Sequence, residues 1–445
     1  VYLCRDRAGK KPLYYHMGSG QLTYGSTIPA VLAGLAKRPD IDVNALSEYL
    51  TFGYTFDSSL FTGVREVPAG HWILFEADGG ELRGERYWQP PPLSRTSTKL
   101  GANQAADELI REAVAKRLEA DVPLGAFLSG GIDSSLIAAI AQEQLKDQQL
   151  KTFNVAMPDQ AYDESPFAQM VAKHIGAEHH TLTVQPEVEN DLKHLIGICG
   201  EPTADSSILP TYWLSRATRE HVTVALSGDG GDELFGGYDR YRALRFLRRH
   251  RWWLRMMPTG VFPSGNQKTR WHRLGRLANA ARYAEQQRQY LDIIRLFSPK
   301  QIGWLGVPSN TVIDEPPNWE HEVDPAEAAR RWDMFHYLPF DLLRKVDRAS
   351  MAVALEVRCP LLDTQVYDLA GHLPLHALMP FGQPKGLLRR VAGRYLPAPI
   401  VRRPKMGFAV PIGNWFRTNL RDMLRGYLLK VDHLETIGFR LGRIE

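Results

Sequence analysis

Two short apolar runs, residues 122–128 and 221–226, each break into a cluster of glycine, serine and aspartate. An apolar run that ends this way and then resumes with helical spacing reads as a strand, a tight turn and a helix start. The surrounding chain repeats the pattern. Residues 104–118 carry a helical stripe at Ala106, Leu109, Ile110, Ala113 and Val114, and residues 133–145 are again helical. Residues 151–157 read as a further strand and 166–175 as a helix. Strands alternating with helices predict an α/β fold with a parallel sheet covered on both faces. Ligands in such sheets bind beyond the carboxyl ends of the strands, where both clusters fall.

Residues 1–88 have a different texture. Residues 21–24 and 70–76 read as strands and 42–52 as a helix, and Asp78-Gly79-Gly80 signals a hairpin. Gln89-Pro90-Pro91-Pro92 and the polar residues after it form the best linker, so the expected division is 1–88, a linker at 89–103, and 104–445. At about 150 residues per domain, 445 residues suit two or three domains. The chain opens Val1-Tyr2-Leu3-Cys4 without methionine and reads as a fragment that begins inside a domain.

Composition narrows the function classes. A hydrophobic share of 44% and a charged share of 23% are ordinary for a globular protein. The net charge of +4 is too small to force a nucleic-acid reading. No apolar run reaches the roughly 18–20 residues of a transmembrane helix, and no signal peptide is visible. Cys4, Cys199 and Cys359 lie far apart with no C-x-x-C, which argues against a disulfide framework or structural zinc and fits a reducing, cytoplasmic setting.

The first cluster is Ser129-Gly130-Gly131-Ile132-Asp133-Ser134-Ser135, after Phe127-Leu128. Glycines without Cβ let backbone N–H groups approach a phosphate, and the helix start adds its positive end. The hydroxyls of Ser129, Ser134 and Ser135 add donors. Asp133 would repel an anion unless a divalent cation bridges them. The spacing is not that of a Walker A loop. The plainer reading is a strand–turn–helix joint with Asp133 or Ser134 as N-cap.

The second cluster is Ser227-Gly228-Asp229-Gly230-Gly231-Asp232-Glu233, followed by Leu234-Phe235-Gly236-Gly237-Tyr238. Its three acids repel one another unless a cation or proton transfer uses them. Asp232 would complete a cation site begun by Asp133, and Asp229 is placed for acid/base work. The plainer reading is a glycine-rich acidic surface loop.

Together the clusters resemble the ATP-pyrophosphatase domain of glutamine-hydrolysing asparagine synthetases. The resemblance continues through Asp341-Leu342-Leu343-Arg344-Lys345-Val346-Asp347-Arg348-Ala349-Ser350-Met351, Leu355-Glu356-Val357-Arg358-Cys359-Pro360-Leu361-Leu362-Asp363 and Arg402-Arg403-Pro404-Lys405-Met406-Gly407-Phe408. Tyr162 to Ser165 and Ala204 to Ser207 match bacterial members. It implies a doubly wound parallel sheet of the PP-loop type with a helical carboxyl-terminal part. It also implies ATP-dependent adenylation of a carboxylate, normally that of aspartate, followed by attack of ammonia on the acyl-adenylate. Carried over by position, Ser129 to Ser135 hold pyrophosphate, and Asp133 and Asp232 bind Mg²⁺. Leu128 and Val155 frame the adenine, Ser227 belongs to the nucleotide-binding set, and Gly228 and Asp229 face the reacting carboxyl. Lys405 stabilises charge. Arg348, Glu356, Arg358 and Lys385 are further substrate candidates, each with a structural ion pair as the alternative. Many family members carry Glu in place of Asp229.

Residues 3–15 resemble the late part of the family's class II (Ntn) glutaminase domain, whose nucleophile is an amino-terminal cysteine. Cys4 is not that residue and is expected to be a buried, inert thiol. Glutamine would feed the full protein and free ammonia this chain. The resemblance allows a homodimer. A uronic acid in surface polysaccharide is the alternative acceptor. Between Arg240 and Arg295 lie thirteen arginines with Trp252, Trp253 and Trp271. This stretch is expected to be a solvated insert, with a nucleic-acid surface, a membrane contact or an anionic-substrate face as alternatives. His179-His180 is read as lying between a helix and a strand, serving packing.

Overall fold

The computed structural model describes all residues except 19, 77–80, 94–98, 147, 158, 160–161, 185–186, 259–268, 309–323, 409, 429–430 and 441–445. The expected hairpin turn at Asp78-Gly79-Gly80 lies outside the described residues.

Among the described residues, eleven strands form three sheets. β1 (Tyr2–Cys4), β5 (His71–Glu76) and β6 (Glu81–Arg86) make one antiparallel sheet, with Leu3 opposite Ile73. β2 (Tyr14–Gly18), β3 (Gln21–Gly25) and β4 (Val64–Glu66) make a second. Leu3, Ile73, Tyr15 and Val67 form a common cluster between them. Strand alternation turns Leu3 inward and its neighbours outward, so Cys4 is exposed rather than buried as expected. Cys199 and Cys359 are buried. The Val43–Phe52 helix is capped by Asp42, which accepts from Asn44 N at 2.9 Å, and it ends at Gly53 in the left-handed region.

The third sheet is wholly parallel, in the order β11 (Glu356–Arg358), β10 (Val224–Leu226), β7 (Leu124–Phe127), β8 (Lys151–Ala156), β9 (Glu178–Thr183). The chain steps from β7 out to β9, then returns to the other side of β7 for β10 and β11. That reversal places a topological switch point between β7 and β10. Neighbouring residues of β10 face opposite cores. Leu226 joins Ala126, Ile110, Leu136 and Leu388 on one face, and Ala225 joins Phe153, Val155, Leu209 and Trp213 on the other. The sheet is therefore buried on both sides, as parallel sheets require.

Several elements differ from expectation. The first helix of this part starts at Lys99, inside the stretch read as linker. His179 and His180 lie within β9, where His180 stacks on Phe153 at 5.3 Å between ring centroids. β11 is a strand too short for periodicity to reveal. The Pro325–Trp332 helix passes through a π-helical stretch, Asp333–Leu343, into the Arg344–Met351 helix. Such π segments often mark functional positions. This one turns Lys345 toward the switch point and Arg344 toward the amino-terminal sheets. There Arg344 pairs with buried Glu66, which Arg5 also meets at 3.2 Å.

Candidate active site

A cavity of about 490 Å³ opens at the carboxyl ends of β7, β8 and β10. Its floor is the turn after β7. Leu128 N donates to Phe153 O at 2.8 Å, holding the turn to β8. Ser129 Oγ lies 3.0 Å from Ser134 Oγ and accepts from Gly131 N at 3.2 Å. Gly130 sits at φ +69°, and a Cβ there would come within 2.5 Å of Phe167. The N-cap of the Ile132–Leu145 helix is Gly131, with no side-chain cap bond. The capping reading of Asp133 and Ser134 therefore does not hold, and the helix start, with its free backbone N–H groups, faces the cavity.

The turn after β10 packs directly on the first. A Cβ on Gly228 would stand 2.6 Å from Ser134 N, and one on Gly231 would stand 2.6 Å from Asp133 Oδ1. Only glycine lets the loops approach this closely. Ser227 Oγ donates to Asp229 Oδ2 at 2.6 Å, which aims that carboxylate along the cavity wall. Burial raises the Asp229 pKa above the ordinary range, opposed by the Ser227 hydrogen bond and by Lys345.

Four charges converge between the loops. Lys385 Nζ contacts Asp133 Oδ2 and lies 2.7 Å from Asp232 Oδ1, while Lys405 Nζ reaches the same Asp232 oxygen at 2.9 Å. Burial pushes the Asp232 carboxyl up, but Lys385 and Lys405 outweigh it and hold the pKa near 2. Asp133 is raised by burial despite Lys385, and its Oδ1 is buried without a hydrogen-bond partner. Lys405 stands at the rim, 3.9 Å over the Tyr238 ring, and desolvation lowers its pKa against the pull of Asp232. Lys385 takes the left-handed conformation at φ 53°, a cost tolerated where the surroundings fix a residue firmly.

Of the expected site residues, the structure brings Leu128, Ser129, Gly131, Asp133, Ser134, Val155, Ser227, Gly228, Asp229, Asp232, Lys385 and Lys405 to one cavity. Gly130 shapes the turn without lining it. Ser135 does not line it either: its side chain is fully buried in the helix's packed face.

Three proposed substrate residues lie elsewhere. Arg348 is buried beside Glu201 at 3.3 Å and the Tyr14 hydroxyl, joining the amino-terminal sheets to the rest. Arg358 pairs with Glu356 at 2.7 Å and donates to the carbonyls of Arg117 and Glu119, on the outer edge of the sheet. Arg358 ends β11, but the Arg117 and Glu119 carbonyls hold its guanidinium away from the cavity.

Sequence reasoning gave no site role to several lining residues. Lys345 Nζ donates to Asp205 Oδ2 and Ser207 Oγ, both at 2.7 Å. Arg403 pairs with Glu164 at 2.9 Å and donates to Ser129 O at 3.1 Å. Tyr238 donates to Glu233, whose pKa is raised to about 7 by burial and by Asp232. Lys345, Asp205 and Arg403 all sat inside the quoted motifs. What singled out none of them was the absence of any cue to which face they would take.

Residues 105–436 match the asparagine synthase family model and residues 1–88 the glutamine amidotransferase domain model. The chain is 30% identical over 446 residues to a glutamine-hydrolysing asparagine synthetase of Bacillus subtilis, covering 96% of this chain and 68% of that protein. A putative glutamine-hydrolysing asparagine synthetase of Mycobacterium bovis is 32% identical over 94% of this chain and 66% of its own length. A second putative one, from Methanocaldococcus jannaschii, is 34% identical over 54% of this chain and 47% of its own. The chain thus spans about two-thirds of the length of the first two relatives. A family-model match over residues 105–436, with these relatives along most of the chain, places this protein in the asparagine synthase family of carbon–nitrogen ligases.

Proposed function

We propose that this chain converts aspartate to asparagine at the expense of ATP. In the first half-reaction a carboxylate oxygen of aspartate attacks the α-phosphorus of ATP, forming β-aspartyl-AMP and releasing pyrophosphate. In the second, ammonia attacks the acyl carbon, AMP leaves and the nitrogen loses a proton. Glutamine would supply that ammonia in the complete protein, and free ammonia would serve this chain. Residues 104–445 would form a PP-loop-type synthetase domain, 89–103 a linker and 1–88 part of a class II glutaminase domain.

The observation that carries the reading is the joining of two loops into one wall. A serine-lined helix start lies beside the Asp133–Asp232–Lys385–Lys405 cluster, with Asp229 on the same face. Backbone N–H groups of the first loop would hold phosphate oxygens, and Lys405 at the rim would neutralise charge developing on the leaving pyrophosphate. Groups preorganised in this way are commonly worth a few kcal/mol in a water-poor site. Leu128 and Val155 offer an apolar wall for the adenine. Asp229, its pKa raised by burial, would receive a proton from the incoming nitrogen.

Asp133 and Asp232 fit a Mg²⁺ ion in donor chemistry: both are hard carboxylate donors, and Asp133 Oδ1 is buried without a hydrogen-bond partner. The ion would neutralise phosphate charge. The decisive test is pyrophosphate release from ATP with Mg²⁺ and ammonium, with aspartate, with a uronic acid, and with no acceptor. Aspartate-dependent release yielding asparagine and AMP supports the proposal. Release only with the uronic acid, or release indifferent to the acceptor, overturns it.

A further inference from the structure

The arginine-rich stretch takes no part in the cavity. Of its three described helices, Asp239–Met256 and Arg270–Ala280 pack on each other, and Asp239–Met256 and Gln286–Ile294 pack on the Pro325–Trp332 helix. Leu244, Leu247 and Leu254 point inward and are buried. Several of the arginines are structural. Arg240 pairs with Asp333 at 2.8 Å, Arg245 with Asp324 at 2.5 Å, and Arg251 donates to the carbonyls of Ala281 and Tyr283.

The outward face is not a typical solvated surface. Trp252 is 77% exposed, Met256 67%, Trp271 64% and Trp253 49%, with Phe246 also exposed. Trp253 and Met256 stand three residues apart on the same side of the helix's final turns, while Phe246 lies before the break in helical geometry at His250. Arg249 and Arg255 are exposed among these rings, and Arg273 is exposed on the second helix. No aspartate or glutamate occurs anywhere from residue 240 to 280. Exposed apolar side chains in such number on one element mark an interaction surface.

We propose that this face is a peripheral docking surface for an anionic lipid bilayer. Tryptophan settles at the boundary of headgroup and acyl chain, where its ring is apolar and its N–H finds water. Arginine lays its stem along apolar surface while its guanidinium reaches phosphate. A helix with one face fixed to a protein core and the other bearing Trp, Met, Phe and Arg matches the interfacial pattern of one that lies in the headgroup region. Uniform positive charge specifies anionic lipid, because basic side chains gain from the negative surface potential. A nucleic acid would answer the arginines but leave Met256 and Phe246 without a partner. Among the described residues no helix is long and apolar enough to cross a membrane, so the contact is superficial.

The test is flotation of the whole chain with phosphatidylcholine vesicles, with and without phosphatidylglycerol. The expected result is binding to the phosphatidylglycerol vesicles that weakens with salt, with tryptophan emission shifted to the blue. The pairs Trp252→Ala with Trp271→Ala, and Arg249→Glu with Arg255→Glu, each reduce partitioning by roughly tenfold or more. All four residues are exposed, so the variants keep the circular dichroism and nucleotide binding of the parent. Failure to float with either vesicle overturns the proposal. So does binding to double-stranded DNA or RNA in place of vesicles, or a dimer that Trp252→Ala dissolves.

Discussion

Lys385 Nζ lies between the carboxylates of Asp133 and Asp232, 2.7 Å from Asp232 Oδ1 and in contact with Asp133 Oδ2. One buried cation thus joins the loop after β7 to the loop after β10. Both acids lie deep in the cavity wall, where two uncompensated negative charges would repel strongly. Burial alone would lower the Lys385 pKa, and the two acids reverse that and raise it. The ammonium is therefore charged across the neutral range.

Replacing Lys385 by methionine takes the shared cation from two largely buried carboxylates and leaves only Lys405 beside Asp232. Stability should fall by about 3–5 kcal/mol, the usual cost of breaking a buried ion pair from one side. Mg²⁺ should restore part of the loss if Asp133 and Asp232 hold it. Urea unfolding of the variant with and without Mg²⁺ measures both effects, and an identical midpoint in the two conditions argues against that metal site.

Asp229→Asn removes a carboxylate that Ser227 orients, while leaving the turn at Ser129 to Ser134 intact. Asparagine formation should slow by about a hundredfold or more, with ATP binding little changed. Asp229→Glu restores a carboxylate one methylene longer and should recover much of the rate. Product formation from ammonium and calorimetric ATP titration separate the two effects. Equal losses in Asn and Glu variants would show that the side chain serves structure.

Gly130→Ala and Gly228→Ala test the close approach of the loops. At Gly130 the new methyl meets the Phe167 backbone and the left-handed φ is strained as well. At Gly228 it meets Ser134 N. Each should cost about 1–3 kcal/mol from strain or overpacking, and more where backbone must move. Both should weaken ATP binding beyond what the loss of stability explains. A Gly197→Ala control, with nothing within 4 Å of the added methyl, should do neither.

Glu48 makes stability depend on pH. Burial pushes its carboxyl up to about 7, against hydrogen bonds from Phe56 N at 2.9 Å and Ser58 Oγ at 3.2 Å. The unfolded chain titrates this group near 4.5. Between the two values the folded protein holds more proton than the unfolded one, so this contribution is complete below about 4.5 and is lost as pH rises to about 7. The difference is at most about 3 kcal/mol. Glu48→Gln keeps an acceptor oxygen and loses the slope. It should be the more stable protein at alkaline pH, with the gap closing toward acid. Denaturation midpoints of both proteins across this range decide it.

Much of the synthetase sheet was legible because its signals are local. The 151–157 run and the 133–145 stripe announce a strand and a helix by spacing alone, and the structure places β8 and a helix there. The two glycine clusters were legible as loops for the same reason, since the left-handed turn at Gly130 is a property of a few adjacent residues. Pairing was not local. The adjacency of β10 and β7, the added edge strand β11 and the switch point between them depend on which strand lies beside which.

The amino-acid sequence by itself determined the loops, their charges and the residue types available for chemistry, because turn geometry and side-chain character travel with the chain. Only the tertiary structure decided which charges meet. It brought Lys385 between Asp133 and Asp232, and Lys345 to Asp205, across gaps of 252 and 140 residues. It sent Arg348 and Arg358 away from the cavity and turned Cys4 to the surface. Burial, strand alternation and the order of strands in a sheet are set by the packing of the whole molecule, and no local spacing encodes them.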